Sequence, residues 1–257
     1  MVIKALIFDV DGTLGDVYKR QLSDTERDGH RPAFNQAFKQ TGLDWRWDVA
    51  LYGELLAVTG GKERIRFFIE RYKPALKNDV NLADMIAELH QAKTRIYTEL
   101  LATGKIPLRP GVKRLLQEAK EAGLKLAIAT TTTPENVTAL LNYTLGEDSL
   151  NWFEVIAAGD IVPAKKPAPD IYLCALKKLQ LSADECLAFE DSENGLKSSL
   201  GAGIKTVITI NDYTVNHDFT GAALVLSDLG EPENPCQVLH GSLYRERYLS
   251  LLGLAKL

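Results

Sequence analysis

The chain has 257 residues, 46% of them hydrophobic and 25% charged, with a net charge of −4. That is enough apolar matter for one large core, or a core plus a smaller domain, and the interspersed charges mark no surface for nucleic acid or for a membrane. Cys174, Cys186 and Cys236 offer neither a disulfide framework nor a metal-ligand spacing, and no leader or membrane-spanning run is expected, so the reading is of a cytoplasmic protein.

The first element is the run Ala5 to Phe8, continuously apolar and closed by Gly12, which reads as a buried strand. It ends in Asp9-Val10-Asp11-Gly12-Thr13. Side chains alternate along extended chain, so the two carboxylates face the same way. Carboxylates at the end of a buried strand are costly unless a cation or a reaction uses them, and in an open α/β sheet that end is where ligands sit.

From about Ser23 to Thr103 the apolar residues recur at helical spacing without a buried-strand run: Ala33-Phe34, Ala37-Phe38, then Leu55-Leu56, Phe68-Ile69 and Met85-Ile86. This stretch, 15–104, reads as a helical cap domain inserted into a core made of 1–14 and 105–257. Within it stands Thr59-Gly60-Gly61-Lys62-Glu63-Arg64. The glycines allow close backbone approach. Arg64 can grip a phosphate bidentately while Lys62 acts as a point charge, so the segment suits a second substrate phosphate; the alternative is a helix start with solvated charges.

Beyond Pro107, strands and helices alternate. Pro110-Gly111 opens a helix that ends at Gly123, and strands are expected at 125–129, 153–158, 186–189 and 206–210, with helices from about Pro134, after Pro169 and around Leu196. Residues 223–226 read as an edge strand, and a short helix is expected near 249–252. Short apolar strands separated by helices indicate an α/β fold with a doubly wound, Rossmann-like parallel sheet.

Four clusters fall at four strand ends: Asp9 to Thr13, Thr130 to Thr133, Lys165 to Asp170, and Glu190 to Gly195. In this order they resemble the four signature motifs of the haloacid dehalogenase superfamily. Attack on a phosphate ester needs an in-line nucleophile, a proton for the leaving oxygen, and cancellation of charge on the phosphoryl oxygens. Asp9 is the candidate nucleophile, forming an aspartyl-phosphate, and Asp11 the acid and then the base. Lys166 and Thr130 would neutralise and hydrogen-bond the phosphoryl group. Asp9, Asp191 and the Asp11 carbonyl, supported by Glu190, would hold Mg²⁺. Thr131 and Asn194 are candidate substrate contacts, although Thr131 to Thr133 could equally cap the helix at Pro134.

Residues 43–48, 59–65, 127–132, 155–160 and 188–195 are similar to the CbbY-type branch of the superfamily. The resemblance implies a sugar-phosphate phosphatase removing the C1 phosphate of xylulose 1,5-bisphosphate, a Rubisco-inhibiting misfire product. It implies Glu26, His30 and Tyr52 near the sugar and Gly60, Gly61, Lys62 and Arg64 around the distal phosphate. His30 could also be a surface helix residue. One departure stands out. The family runs from the first motif almost directly into a segment like Ser23-Asp24-Thr25-Glu26, whereas here residues 15–22 intervene as an insertion in the hinge. Asp16–Gln21 also matches the in-frame translation of a transposon adapter used in sequencing libraries. The expected partner is a small phosphorylated sugar, with no nucleic acid, no membrane and a monomeric state. A β-phosphoglucomutase-type mutase shares the core chemistry and differs only in the acceptor. A sugar-phosphate binder disabled by the insertion is a third reading.

Overall fold

The computed structural model describes residues 2–14, 25–103 and 107–257, so the insertion at 15–22 lies outside the described residues. At its centre is a sheet. Strand β1 (Ala5–Phe8) is wholly buried and pairs in parallel with both β2 (Lys125–Thr130) and β4 (Cys186–Glu190). Strand β3 (Phe153–Ala158) lies outside β2, and β5 (Lys205–Thr209), β6 (Leu224–Leu226) and β7 (Val238–His240) follow β4, giving the order β3-β2-β1-β4-β5-β6-β7. Both faces are covered, which is why the inner strands carry apolar residues without alternation. Leu6 and Phe8 pack toward helices α5 (Val112–Glu121) and α6 (Pro134–Leu145). Ala5 and Ile7 face the opposite way, onto α7 (Asp170–Leu179). Helix α8 (Glu193–Gly201) follows β4.

Two expectations at the C-terminal end need correction. Residues 223–226 do not form an edge: β6 is flanked on both sides, and the edge on that side is β7, which pairs with it antiparallel. Three exposed residues carry no burial pattern from which that strand could be read. The last helix, α9, spans Leu251–Leu254, two residues later than expected. Its start is set by Ser250, whose side chain accepts a hydrogen bond from the Gly253 amide.

Among the described residues, four α-helices lie between β1 and α5 in the chain: α1 (Arg31–Gln40), α2 (Val49–Leu55), α3 (Gly61–Tyr72) and α4 (Leu82–Ala102). They enclose a separate hydrophobic cluster. Trp47, fully buried, sits at its centre, with ring centroids 4.7 Å from Phe34, 4.9 Å from Phe38 and 5.4 Å from Phe68. The far end of α4 leaves this cluster: Ile96, Tyr97 and Leu101 pack into the sheet-side core. Helix α4 therefore belongs to both cores, as does α1, whose Ala33 and Ala37 pack into the sheet-side core while Phe34 and Phe38 join the other.

Candidate active site

The strand order reverses at β1, whose neighbours β2 and β4 lead off in opposite directions, and the carboxyl edge there is the natural crevice of such a sheet. Asp9 leaves β1 at this point, and Glu190 and Asp191 leave β4 beside it. One oxygen from each of the three lies within 4.8 Å of the others. The chain can turn sharply after Asp11 because Gly12 adopts φ +76°. A Cβ at that position would stand 2.0 Å from Asp191 Oδ2, so only glycine fits.

Lys166 enters from the loop before α7. Its Nζ donates to Asp9 Oδ1 at 2.6 Å, to Glu190 Oε1 at 2.6 Å and to the Ala129 carbonyl at 3.0 Å. Tyr172 donates to the same Glu190 oxygen, and Asn211 Nδ2 to Asp191 Oδ2 at 2.7 Å. Burial pushes Asp9 up to about 7, against the pull of Lys166. Asp191 stands well above the usual carboxylate range, through burial and the neighbouring charges of Asp9 and Glu190. Two of the three buried carboxylates thus share one ammonium, Asp191 has an amide partner instead, and Glu190 Oε2 is buried with no hydrogen-bond partner. A donor set of oxygens with surplus negative charge fits a hard divalent cation.

Asp11 points away from this cluster. Its Oδ1 lies 2.8 Å from His30 Nε2, and His30 Nδ1 lies 2.5 Å from Lys93 Nζ. The Lys93 ammonium donates, so Nδ1 accepts and Nε2 carries the proton given to Asp11. The His30 ring stacks on Tyr97 with centroids 3.9 Å apart. His30 and then Lys93 hold Asp11 below the ordinary carboxylate range in spite of its burial. Burial in turn lowers Lys93 to about 8. The Asp11 side chain is not part of the group of three carboxylates that could hold a metal ion.

Above these groups is a cavity of about 340 Å³. Its floor includes Asp9, Asp11, Thr130, Thr131 and Asp191, and its roof Glu26, His30, Gly60, Gly61, Arg64, His90 and Lys93. Thr130 Oγ1 accepts from the Thr132 amide at 3.3 Å, which leaves its own proton to donate. Arg64 is buried and donates to the Tyr52 hydroxyl at 3.0 Å and to the Leu55 carbonyl at 3.3 Å, and Tyr52 donates to Glu26.

The chain matches the haloacid dehalogenase-like hydrolase family over residues 3–203. It belongs to that family. Among its relatives is the plasmid-encoded protein CbbY of Cupriavidus necator, 47% identical over 97% of this chain and 95% of the relative. A crystal structure of a CbbY mutant from Rhodobacter sphaeroides in complex with xylulose 1,5-bisphosphate is 44% identical, with a TM-score of 0.81 over 90% of this chain and 96% of the other. The phosphorylated carbohydrates phosphatase of Thermotoga maritima is 29% identical over 92% and 98%. The chain is therefore a hydrolase of the CbbY branch, built on the parallel α/β sheet expected of it.

Within this hydrolase the sequence-derived residues divide. Asp9, Lys166, Glu190 and Asp191 come together as one cluster, and Asp11, Glu26, His30, Gly60, Gly61, Arg64, Thr130, Thr131 and Asn194 all line the cavity above it. Two residues of the helical stretch 25–103 require correction. Lys62 does not face the cavity; it turns to Asp160, at 2.9 Å, because the first turn of α3 carries it to the rim. Tyr52 is wholly buried behind the wall, where it holds Arg64 and Glu26. Asn194 lines the cavity but donates its amide to the Ala57 carbonyl and to Thr59 Oγ1. Thr133 caps α6, accepting from the Asn136 amide, as its alternative reading had it. Sequence reasoning passed over Lys93, Asn211, Tyr172 and Arg109. For Lys93 a signal existed: it falls between Leu89 and Ile96 on the inward stripe of α4.

Proposed function

We propose that this chain is an Mg²⁺-dependent sugar-phosphate phosphatase working through an aspartyl-phosphate on Asp9, and that xylulose 1,5-bisphosphate, cleaved at C1, is its substrate. The observation that carries the reading is the joining of Asp9 to Lys166 at 2.6 Å beneath a cavity sized for a small phosphorylated sugar. The relatives named above, one a carbohydrate phosphatase and one a CbbY protein bound to xylulose 1,5-bisphosphate, support it.

In this reading residues 1–14 with 105–257 form the core and 15–104 the cap. Asp9 attacks the phosphorus in line, while Lys166 and the Thr130 hydroxyl balance charge on the phosphoryl oxygens. The leaving sugar oxygen takes a proton from Asp11, whose Oδ1 lies 2.8 Å from His30 Nε2. The His30 and Lys93 contacts favour anionic Asp11, the form that then takes a proton from the water attacking the aspartyl-phosphate. Asp9, Asp191 and the Asp11 carbonyl would hold Mg²⁺, with Glu190 behind them; the ion supplies further charge neutralisation at the phosphoryl group. Gly60, Gly61 and Arg64 would receive the distal phosphate, and Glu26, His30 and Thr131 face the sugar. No helix among the described residues is long and apolar enough to cross a membrane, and a cytoplasmic monomer is part of this proposal.

The test is a phosphate-release screen over sugar mono- and bisphosphates with Mg²⁺. Release of one phosphate from xylulose 1,5-bisphosphate is expected, falling at least about a thousandfold in Asp9→Asn. Conversion of a hexose 1-phosphate to its 6-phosphate without release would assign a mutase instead. Ligand-induced thermal stabilisation with no turnover would assign a binder.

A further inference from the structure

Two polar bridges tie the 57–62 segment to loops that also carry reacting groups. On one side Lys62, in the first turn of α3, donates to Asp160 Oδ2 at 2.9 Å. Asp160 lies in the loop after β3, and its other oxygen takes Lys165 Nζ, which also donates to the Gly159 carbonyl at 3.2 Å. Lys165 is the chain neighbour of Lys166, whose ammonium touches Asp9 and Glu190. On the other side Asn194, three residues after Asp191, donates to the Ala57 carbonyl at 3.2 Å and to Thr59 Oγ1 at 3.1 Å. The segment 57–62 is thus pinned to the sheet edge at two points.

Burial does not account for the first bridge. The Lys62 and Asp160 side chains are 46% and 59% exposed, and neither belongs to a hydrophobic core. Two lysines nevertheless converge on the one carboxylate, and they hold Asp160 down to about 2. We propose that Asp160 and Asn194 are positioning residues that latch the cap shut over the substrate, Asp160 by joining Lys62 to the loop that carries Lys166. The proposal rests on the phosphatase reading only in supposing that a closed cavity, with bulk water excluded, is the reactive one.

The size of the effect follows from the exposure. An exposed ion pair shifts an equilibrium by roughly two- to fivefold, and a neutral hydrogen bond by a similar factor up to about tenfold. Neither tie alone closes the cap. Together they bias an open–closed equilibrium by about tenfold or more, within the range over which closure governs turnover.

The experiment is a double-mutant cycle on the full-length protein with Lys62→Met, Asp160→Asn and the pair. It reads kcat and KM for phosphate release, the salt dependence of kcat/KM, thermal midpoints, and the radius of gyration by small-angle scattering. Each single variant is expected to lower kcat/KM by about two- to fivefold, moving kcat and KM together, with an enlarged radius of gyration and an unchanged thermal midpoint. The pair is expected to be no worse than Asp160→Asn alone. The parent should lose activity with salt more steeply than Asp160→Asn, because an exposed pair is screened. Adding Asn194→Ala to Asp160→Asn should multiply the loss. Additive single effects, equal salt slopes and unchanged radii overturn the latch. A parent chain that releases no phosphate overturns the phosphatase reading instead and leaves the scattering comparison to decide the latch.

Discussion

Lys93 shows how one residue can oppose the fold and serve the site. It occupies an inward position on α4, its ammonium 5.1 Å from the centre of the Phe34 ring and 5.0 Å from that of Tyr97, and it is buried apart from the little it shows to the cavity. Burial lowers it from the ordinary lysine value to about 8. The sign follows from linkage: between about 8 and the unfolded value the unfolded chain binds the extra proton, so this lysine's cost is full below pH 8 and is relieved as pH rises. Replacing it by Met removes that pH-dependent cost. The stability advantage of Lys93→Met over the parent is therefore expected to shrink by on the order of 2 kcal/mol between about pH 7 and pH 9.5, as read by denaturant titration at each pH. Turnover moves the other way. Without Lys93 the His30 Nδ1 atom loses its donor and the proton at Nε2 is no longer fixed, so kcat should fall about tenfold or more with KM little changed. A variant with parental kcat would refute the link from Lys93 through His30 to Asp11.

The segment returning from the helical insert to the sheet is held by Arg109. Its backbone amide donates to the Leu14 carbonyl at 3.0 Å. Its buried guanidinium donates to the carbonyls of Gly12, Thr209, Ile210 and Ser227. One side chain thus ties both chain crossings of the insert to the ends of β5 and β6, and it steadies the turn that carries Asp11. Arg109→Met strands several buried acceptors and is expected to cost about 3–5 kcal/mol, lowering the thermal midpoint by on the order of 10 °C, while Arg109→Lys recovers part of the loss. Equal midpoints for Met and parent would show that the carbonyls are satisfied otherwise. None of this was legible in the sequence, where Arg109 precedes a helix-opening Pro-Gly and looks like a surface charge. The central strands were legible because burial on both faces writes an unbroken apolar run, and the helices of the insert because one inward stripe suffices to mark them. Strand β7 was not, since an exposed three-residue edge has no burial to record. The clustered carboxylates and Lys166 could be read from their strand-end positions. The turning of Lys62 toward Asp160 could not, because it depends on a partner 98 residues away.

At the scale of the whole molecule, the acidic cluster links segments remote in sequence: Asp9 from β1, Glu190 and Asp191 from β4, Lys166 from the loop before α7. Three carboxylates against one ammonium make the closed fold work against its own charge. The raised Asp191 fixes the direction, since a carboxyl whose folded value lies above its unfolded one contributes stability at low pH that is lost as pH rises. In chelator, therefore, the parent should lose stability relative to Asp191→Asn as the pH climbs from acid to neutral. A bound divalent ion reverses the balance because it binds the folded chain and not the unfolded one. At a concentration of about a hundred times its dissociation constant, Mg²⁺ is expected to stabilise the parent by about 2.7 kcal/mol, which for a chain of this size raises the midpoint by roughly 5–10 °C. Asp191→Asn should lose most of that shift while staying at least as stable as the parent in chelator. Thermal melts of both proteins with and without Mg²⁺ read the two effects separately. A parent indifferent to Mg²⁺, or a variant that responds as strongly, would mean that these three carboxylates do not form the ion site.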